Sequence, residues 1–532
     1  MKPGSRVQRG GAAVLWVGLM LSFAASSWMR PLMLPDEGRY VGVAWEMVRS
    51  GNWLEPTLNG LPYFHKPPLF YWITATGISV FGRHEWAIRL APLLAASCSA
   101  LAIFLFANRW LGARTARAAV AALLVQPLFF LGAQYANTDM LVAGCITACI
   151  LCLAHAALCI EQGLPYRPVL AMAYCVAALG VLSKGLIGIV LPAGVIGAWL
   201  LARRQWRTLM TLMWLPGILL FCLLCAPWFM LMQHRFAGFL DYFFVEHHVR
   251  RYAASGFNNV RPLWYYPVYL TLASLPCLPW LMRLRKTPVG TAQVDRAAAN
   301  AAQPLPSQAS AVLGLMSIWL LFMIVFFSIP QSKLIGYILP AVPALAVLIA
   351  IGWCNQGDPS PSPRAHKLWR ASLIVSGLAG AAIVLGVMLY PPESFRELSA
   401  ELADRRQPGE PVLMLDHYYF DAAYYAALRD PVQVFAAWND PALVEHDSWP
   451  KELVDAARFD PDLGSRVLRL RTSFEATLCE APVSWVMATA EASQEFVALK
   501  AAQRLAASHH AVLWRVDRTQ PDMAAALACP TR

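Results

Sequence analysis

The chain reads as an α-helical polytopic membrane protein with about 11–13 transmembrane helices, followed by a C-terminal soluble α/β domain. Three observations predict this. Hydrophobic residues make up 58% of the 532 positions and charged residues only 14%, with a mean hydropathy of +0.47, more apolar surface than a soluble domain of this length can bury. Apolar runs near twenty residues recur along the chain up to Tyr390, long enough to cross a bilayer as helices. Beyond Tyr390 such runs stop, and Asp and Glu become frequent.

The first apolar run, Gly11 to Met29, follows the basic residues Lys2, Arg6 and Arg9. The sequence after it, Arg30-Pro31-Leu32, offers no small-residue cleavage site, so an uncleaved first helix is expected rather than a signal peptide. Further spans are expected over 86–108, 118–133, 138–160, 169–183, 185–202, 209–231, 263–282, 311–329, 334–353 and 371–390, making about eleven assignable runs. The stretch 69–82 is short and flanked by polar residues, which suits an interfacial or re-entrant helix.

Basic residues set the orientation. With the N-terminus in the cytoplasm, the inner loops hold Arg109, Arg114 and Arg117; Arg203, Arg204 and Arg207; Arg283, Arg285 and Lys286; and Arg364, Lys367 and Arg370. The net charge of +11 is thereby explained as a positive-inside signature, helped by anionic membrane lipids, and no nucleic-acid partner is implied. The expected organisation is a membrane domain 1–390, with exterior loops 31–85 and 233–262 and an inner linker 283–310, then an exterior domain 391–532. The C-terminus is thereby expected on the exterior face.

In the last 140 or so residues, β-prone runs at Val412–Leu415, Val432–Phe435, Ser484–Met487 and Ala511–Val516 alternate with helical patterns at Ser394–Arg405 and Gln494–Leu505. Ten of the 12 cysteines lie in or beside the apparent spans, where a thiol behaves as a small hydrophobe. Cys479 and Cys529 stand alone in the exterior domain, which invites a disulfide in an oxidising compartment; the alternative is two buried thiols.

Ionisable residues beside a bilayer are costly and mark working sites. The first exterior loop supplies Asp36, Glu37, Arg39 and Lys66, interleaved with Tyr40, Trp45, Tyr63, Tyr71 and Trp72. The second supplies Glu246-His247-His248-Val249-Arg250-Arg251-Tyr252. Asp139 and Lys184 sit at span ends, and Lys333 and Tyr337 in a short turn, all on the same expected face. Each has a structural reading too: Asp139 as a helix cap, Lys184 as a snorkelling cation, the aromatics as an interfacial belt. Taken together, several cations and two separate carboxylate positions suit chemistry on a lipid-borne phosphate, with a carboxylate holding or deprotonating an incoming hydroxyl. His65, His247 and His248 also suit a zinc or other divalent metal site, or plain hydrogen bonding.

The pattern Asp36-Glu37-x-Arg39-Tyr40, then Tyr63-Phe64-His65-Lys66-Pro67-Pro68-Leu69-x-Tyr71-Trp72, resembles the bacterial aminoarabinose transferases, which stand with the protein O-mannosyltransferases among the GT-C glycosyltransferases. The resemblance extends to Lys184-Gly185, to Glu246-His247-His248-x-x-Arg251-Tyr252 and to Ser328-x-x-x-Ser332-Lys333-x-x-x-Tyr337, and so covers about the first 350 residues. It implies an inverting transfer of a sugar from undecaprenyl phosphate to an envelope acceptor, lipid A above all, with a protein or another glycan as the alternative.

It implies Asp36 as the principal catalytic carboxylate, with Glu37 and Asp139 as further acidic positions. Arg39, Lys66, Lys184, Arg251 and Lys333 would face the donor phosphate, and Tyr63, Tyr71 and Tyr337 would line the substrate. His248 matches a metal-ligand position whose partner in that family is a glutamate; this chain has His65 there. A transporter or flippase of lipid-linked sugars, or a non-catalytic carrier-binding protein, would be the rival from another class. A transporter's binding groups are expected near mid-bilayer, on broken helices within repeats, whereas a carrier-binding protein would need the same basic pocket but tolerate loss of Asp36.

Overall fold

The computed structural model describes residues 4–24, 26–250, 259–286, 306–354, 362–390, 393–445, 448–527 and 529. The chain divides into two compact units. The first comprises residues 1–29, 89–253 and 259–389; the second comprises 30–88, 254–258 and 390–532. Compactness therefore groups the first loop with the terminal domain, whereas composition groups it with the spans.

The first unit is helical. Among the described residues, seven helices are long and apolar enough to cross a membrane: Leu90–Trp110, Thr138–Glu161, Arg167–Lys184, Leu215–Arg235, Gln308–Ser328, Ile335–Cys354 and Pro363–Leu389. Ala113–Leu124 and Pro127–Ala133 would form an eighth span, bent by 71°. The bend falls at Gln126-Pro127, where the residue before proline is driven to extended backbone and proline has no N–H to continue the ladder. Gly4–Ala24, Ile187–Ala202 and Tyr265–Ser274 cover the three remaining expected runs. The expected run at 263–282 is thus divided, with a separate 3₁₀ segment at Leu278–Lys286. Much of the expected linker 283–310 lies outside the described residues.

The second unit has a sheet core. After the hairpin strands β1 (Thr57–Leu58) and β2 (Leu61–Pro62) come β3 (Val412–Leu415), β4 (Gln433–Ala436), β5 (Leu468–Leu470), β6 (Val483–Ala488), β7 (Gln503–Ala507) and β8 (Val512–Asp517). The six later strands make one sheet in the order β5-β4-β3-β6-β8-β7. Strands β5, β4, β3 and β6 run parallel, while β8 pairs antiparallel with both β6 and β7. β3 is buried at every position, as a central parallel strand covered on both faces must be. Its Leu413 and Leu415 join Phe435, Phe474, Val486 and Trp514 in the core.

One local expectation is corrected, and one strand was not expected. The helical pattern over 494–505 is broken: Val497–Ala501 is a single short helix, and Gln503–Ala507 is strand β7. Phe496 takes an extended conformation (φ −103°, ψ 118°), and edge pairing with β8 outweighs helix propensity in the residues that follow. Strand β5 carries Arg469 in a run of only three residues, too short and polar for a periodicity signal. A disulfide joins Cys479 to Cys529, with Cα atoms 5.7 Å apart.

Asp421 ties the start of the terminal domain to its sheet layer. It is fully buried, and its Oδ2 accepts from Ser394 Oγ (2.9 Å) and from the Phe395 N–H (3.0 Å). Oδ1 has no hydrogen-bond partner among the described residues. Burial raises the carboxyl to about 6, against the pull of those two bonds. Because the folded value lies above the unfolded one, the native state holds the proton more tightly, and this contribution is complete below about pH 4 and lost as pH rises through about 6. The stability of the purified chain, followed by denaturant unfolding, is expected to lose roughly 3 kcal/mol more across that window than the Asp421→Asn variant does. Parallel profiles for the two proteins would refute this.

Candidate functional site

The ionisable residues singled out in the sequence fall into two clusters, one in each unit.

In the second unit, helix Asp36–Ser50 places Asp36 and Arg39 on one face of its first turn, three residues apart. Gly51 (φ 72°) ends the helix in a left-handed cap, returning its N–H to the Met47 carbonyl. Arg39 Nη2 donates to Asp36 Oδ1 (3.1 Å), and a third of the Asp36 side chain stays exposed. Arg39 Nη1 is paired with Glu452, a residue of helix Trp449–Ala457, and Tyr63 Oη donates to the other oxygen of Glu452 (3.0 Å). Burial opposes the charge on Arg39, but Glu452 and the other groups around it, Asp36 among them, together offset that cost and hold the guanidinium protonated. Burial also pushes the Tyr63 phenol up, and the Glu452 carboxylate adds to the rise, so Tyr63 stays a neutral donor.

The same unit shows why the helix sits there. A Cβ on Gly38 would come within 3.0 Å of the Phe420 Cβ and 3.2 Å of the Asp421 nitrogen, so glycine permits the close approach. Asn59 exchanges two hydrogen bonds with the Val432 backbone, at 2.9 and 2.8 Å. Asn59 (φ 54°) and Gly60 (φ 79°) form the tight turn between β1 and β2, an Asn-Gly hairpin signal that is legible in the sequence. Trp45 donates to the Leu428 carbonyl (3.2 Å).

Glu37, grouped above with the catalytic acids, is fully buried. Arg30 Nη1 and Nη2 reach its two oxygens at 2.6 and 3.3 Å, and the Met33 N–H adds a bond of 2.8 Å. That arrangement anchors the turn leading into the helix. Tyr71 is fully buried; its hydroxyl and Arg39 Nε have no hydrogen-bond partner among the described residues. His65 is buried with its ring stacked on Tyr63, centroids 4.7 Å apart, and Lys66 beside it is half-buried.

In the first unit, Asp139 lies in the first turn of Thr138–Glu161 and Lys184 is the last residue of Arg167–Lys184. A carboxylate at a helix N-terminus and an ammonium at a C-terminus are each favoured by the helix dipole. Gly185 (φ 83°) lets the chain turn immediately after Lys184. The two side chains form an ion pair with little exposure, and the Lys184 ammonium lies 4.4 Å from the centre of the Tyr337 ring. Asn137, not Asp139, is the helix cap: its Oδ1 accepts the Asp139 N–H at 3.0 Å. Lys333 is buried, and its ammonium donates to the carbonyls of Arg261 (2.9 Å) and Pro330 (2.5 Å). It thereby ties together the segments that meet at the Val260–Ser332 bridge.

Arg251 lies outside the described residues, as does the His248 side chain, although the backbone of Asp241–Arg250 is a π-helix. Among the described residues no group of three or more His, Cys, Asp or Glu side chains is arranged to hold a metal.

The sequence profile of the dolichyl-phosphate-mannose-protein mannosyltransferase family matches residues 65–231. The undecaprenyl phosphate-alpha-4-amino-4-deoxy-L-arabinose arabinosyl transferase of Pseudomonas paraeruginosa is 31% identical over 373 residues, 68% of this chain. The protein of the same name from Pseudomonas aeruginosa is 32% identical over the same share. The chain spans 64% of the length of these curated relatives. In structure it matches ArnT from Cupriavidus metallidurans bound to undecaprenyl phosphate, with a TM-score of 0.74 and 23% identity, covering 98% of this chain and 99% of that one. Residues 65–231 thus resemble this mannosyltransferase family, and the chain has the fold of ArnT. The fold match includes the terminal domain, for which the sequence offered no motif.

Glu452 is the functional candidate that sequence reasoning missed. It stands 413 residues from Arg39, and nothing in the residues around it distinguishes it from an ordinary acid in a helix's first turn. Its exposure is so low that removing it would leave Arg39 charged, buried and poorly paired. Glu452→Leu is therefore expected to cost about 3–5 kcal/mol in denaturant unfolding, and the double variant Arg39→Met/Glu452→Leu to recover most of it. A single-variant cost below about 1 kcal/mol would make the pair an ordinary solvent-screened contact.

Proposed function

We propose that the chain is an inverting glycosyltransferase of the inner membrane. It moves a sugar from undecaprenyl phosphate to an envelope acceptor on the periplasmic side, most directly lipid A. One observation carries the chemistry: Asp36 presents a partly open carboxylate next to a guanidinium paired with Glu452, in a cluster where Arg39 Nε and Tyr71 Oη are buried donors with no protein partner among the described residues. Buried donors without partners call for a ligand or another explanation. The names of the relatives and of the ArnT structure supply the donor class.

In this reading Asp36 orients the acceptor hydroxyl and takes its proton as the oxygen attacks the anomeric carbon from the side opposite the phosphate. The bond to the phosphate oxygen breaks, and undecaprenyl phosphate leaves. The cations assigned to that developing charge are Arg39, Lys66, Lys184 and Arg251, an instance of preorganised positive charge. Lys333 and Glu37 drop out of the chemistry, since backbone carbonyls occupy the one and Arg30 the other. A metal would rest on His248 with His65; His65 is engaged by stacking on Tyr63, and no step is routed through an ion. The N-terminus and the Arg/Lys-rich loops are assigned to the cytoplasm and the second unit's terminal domain to the periplasm.

Asp36→Asn is expected to abolish transfer in reconstituted membranes while expression and folding hold. Transfer near the wild-type rate would end the mechanism. Mass spectrometry of lipid A from a deletion strain under inducing conditions is expected to show loss of the sugar; an unchanged profile would shift the acceptor to a protein or another glycan.

A further inference from the structure

Asp139 is held on both of its oxygens within the first unit. Oδ1 is paired with Lys184. Oδ2 accepts from the Asn137 amide Nδ2 at 3.3 Å, while Asn137 Oδ1 caps the helix through the Asp139 N–H. On the remaining side stands Gly336. A Cβ there would overlap Asp139 Oδ2 and lie 3.0 Å from its Cγ, so the carboxylate occupies the space that any larger residue would fill. Tyr337, next in sequence, places its ring 4.4 Å from the Lys184 ammonium. Asn137 and Asp139 are both nearly dehydrated, at 9% and 7% exposure. A carboxylate gripped at both oxygens and wedged against a glycine is poorly placed to swing out and receive a proton, whereas Asp36 is a third exposed.

We propose that Asn137 and Gly336 are positioning residues. They fix the Asp139 carboxylate, which with the Tyr337 ring sets the direction of the Lys184 ammonium and leaves its remaining N–H bonds for an anionic phosphate oxygen. Asp139 is thus an orienting group for Lys184 and not the proton acceptor. This rests on the proposed transferase reading and deepens it by dividing labour between the two aspartates.

Asn137→Ser separates this role from capping, because serine is also a good N-cap but has no amide donor for Oδ2. Losing a hydrogen bond to a charged group is worth about a factor of ten in affinity. With the full-length chain in liposomes, Asn137→Ser is expected to raise the KM for the undecaprenyl-phosphate-linked sugar about tenfold. Its kcat, pH–rate profile and melting temperature should remain near those of the wild type. Gly336→Ala should shift KM in the same direction. A shifted pH profile, or a fall in kcat at unchanged KM, would make Asp139 a proton-transfer group and overturn the proposal, as would wild-type kinetics in Asn137→Ser. If the wild-type chain transfers no sugar, the transferase reading has failed. Native mass spectrometry with undecaprenyl phosphate alone then decides the positioning role: weaker binding by Asn137→Ser supports it, and equal binding refutes it.

Discussion

A guanidinium removed from water must be met by a carboxylate, and in the second unit Arg39 is met by Glu452. The desolvation cost of such a pair is recovered only when geometry is good and the spare lone pairs are used. Here Tyr63 takes the second oxygen of Glu452, and Asp36 takes a second nitrogen of Arg39. The loop that carries Asp36 is therefore part of the α/β fold in every physical sense, joined by this pair, by Asn59 on the Val432 backbone and by the close approach at Gly38. The one carboxylate in that set with a third of its surface open is Asp36, and that asymmetry suits it to act on a substrate while Glu452 and Glu37 act on the protein.

The first unit meets the same constraint by different means. Asp139 and Lys184 stand at helix ends whose dipoles favour their charges, so part of the cost of burying them is offset by backbone before the two side chains meet. Asn137, Gly336 and Tyr337 then restrict where that pair can point. Lys333 shows the contrasting outcome. Its ammonium is buried against two carbonyls, where it braces the segments around Val260 and Ser332. Of two lysines with similar local sequence credentials, one is held in a charge pair and the other in a structural knot.

Much of this was readable from residues alone. All eleven apolar runs correspond to helical segments, although one is bent at Gln126-Pro127 and another is divided before Leu278. The first-loop pattern singled out Asp36 and Arg39, and these do share a helical turn, because a three-residue spacing on a helix guarantees it. The Asn59-Gly60 turn was not singled out, although an Asn-Gly pair is a hairpin signal. Strand β7 was not legible, since its residues carry a helical pattern and only pairing with β8 overrides it.

The sequence by itself determined which segments are apolar enough to span, where the composition turns to an α/β domain, and which short-range charge pairs can form. Those properties follow from periodicity and backbone reach, which are local. Only the tertiary structure decided that Glu452 answers Arg39 across 413 residues, that Arg30 occupies both oxygens of Glu37, and that Gly336 makes room for Asp139. Pairing of buried charges depends on which groups lose their water together, and that is settled by packing, which for Glu452 and Gly336 brings in segments distant in the chain.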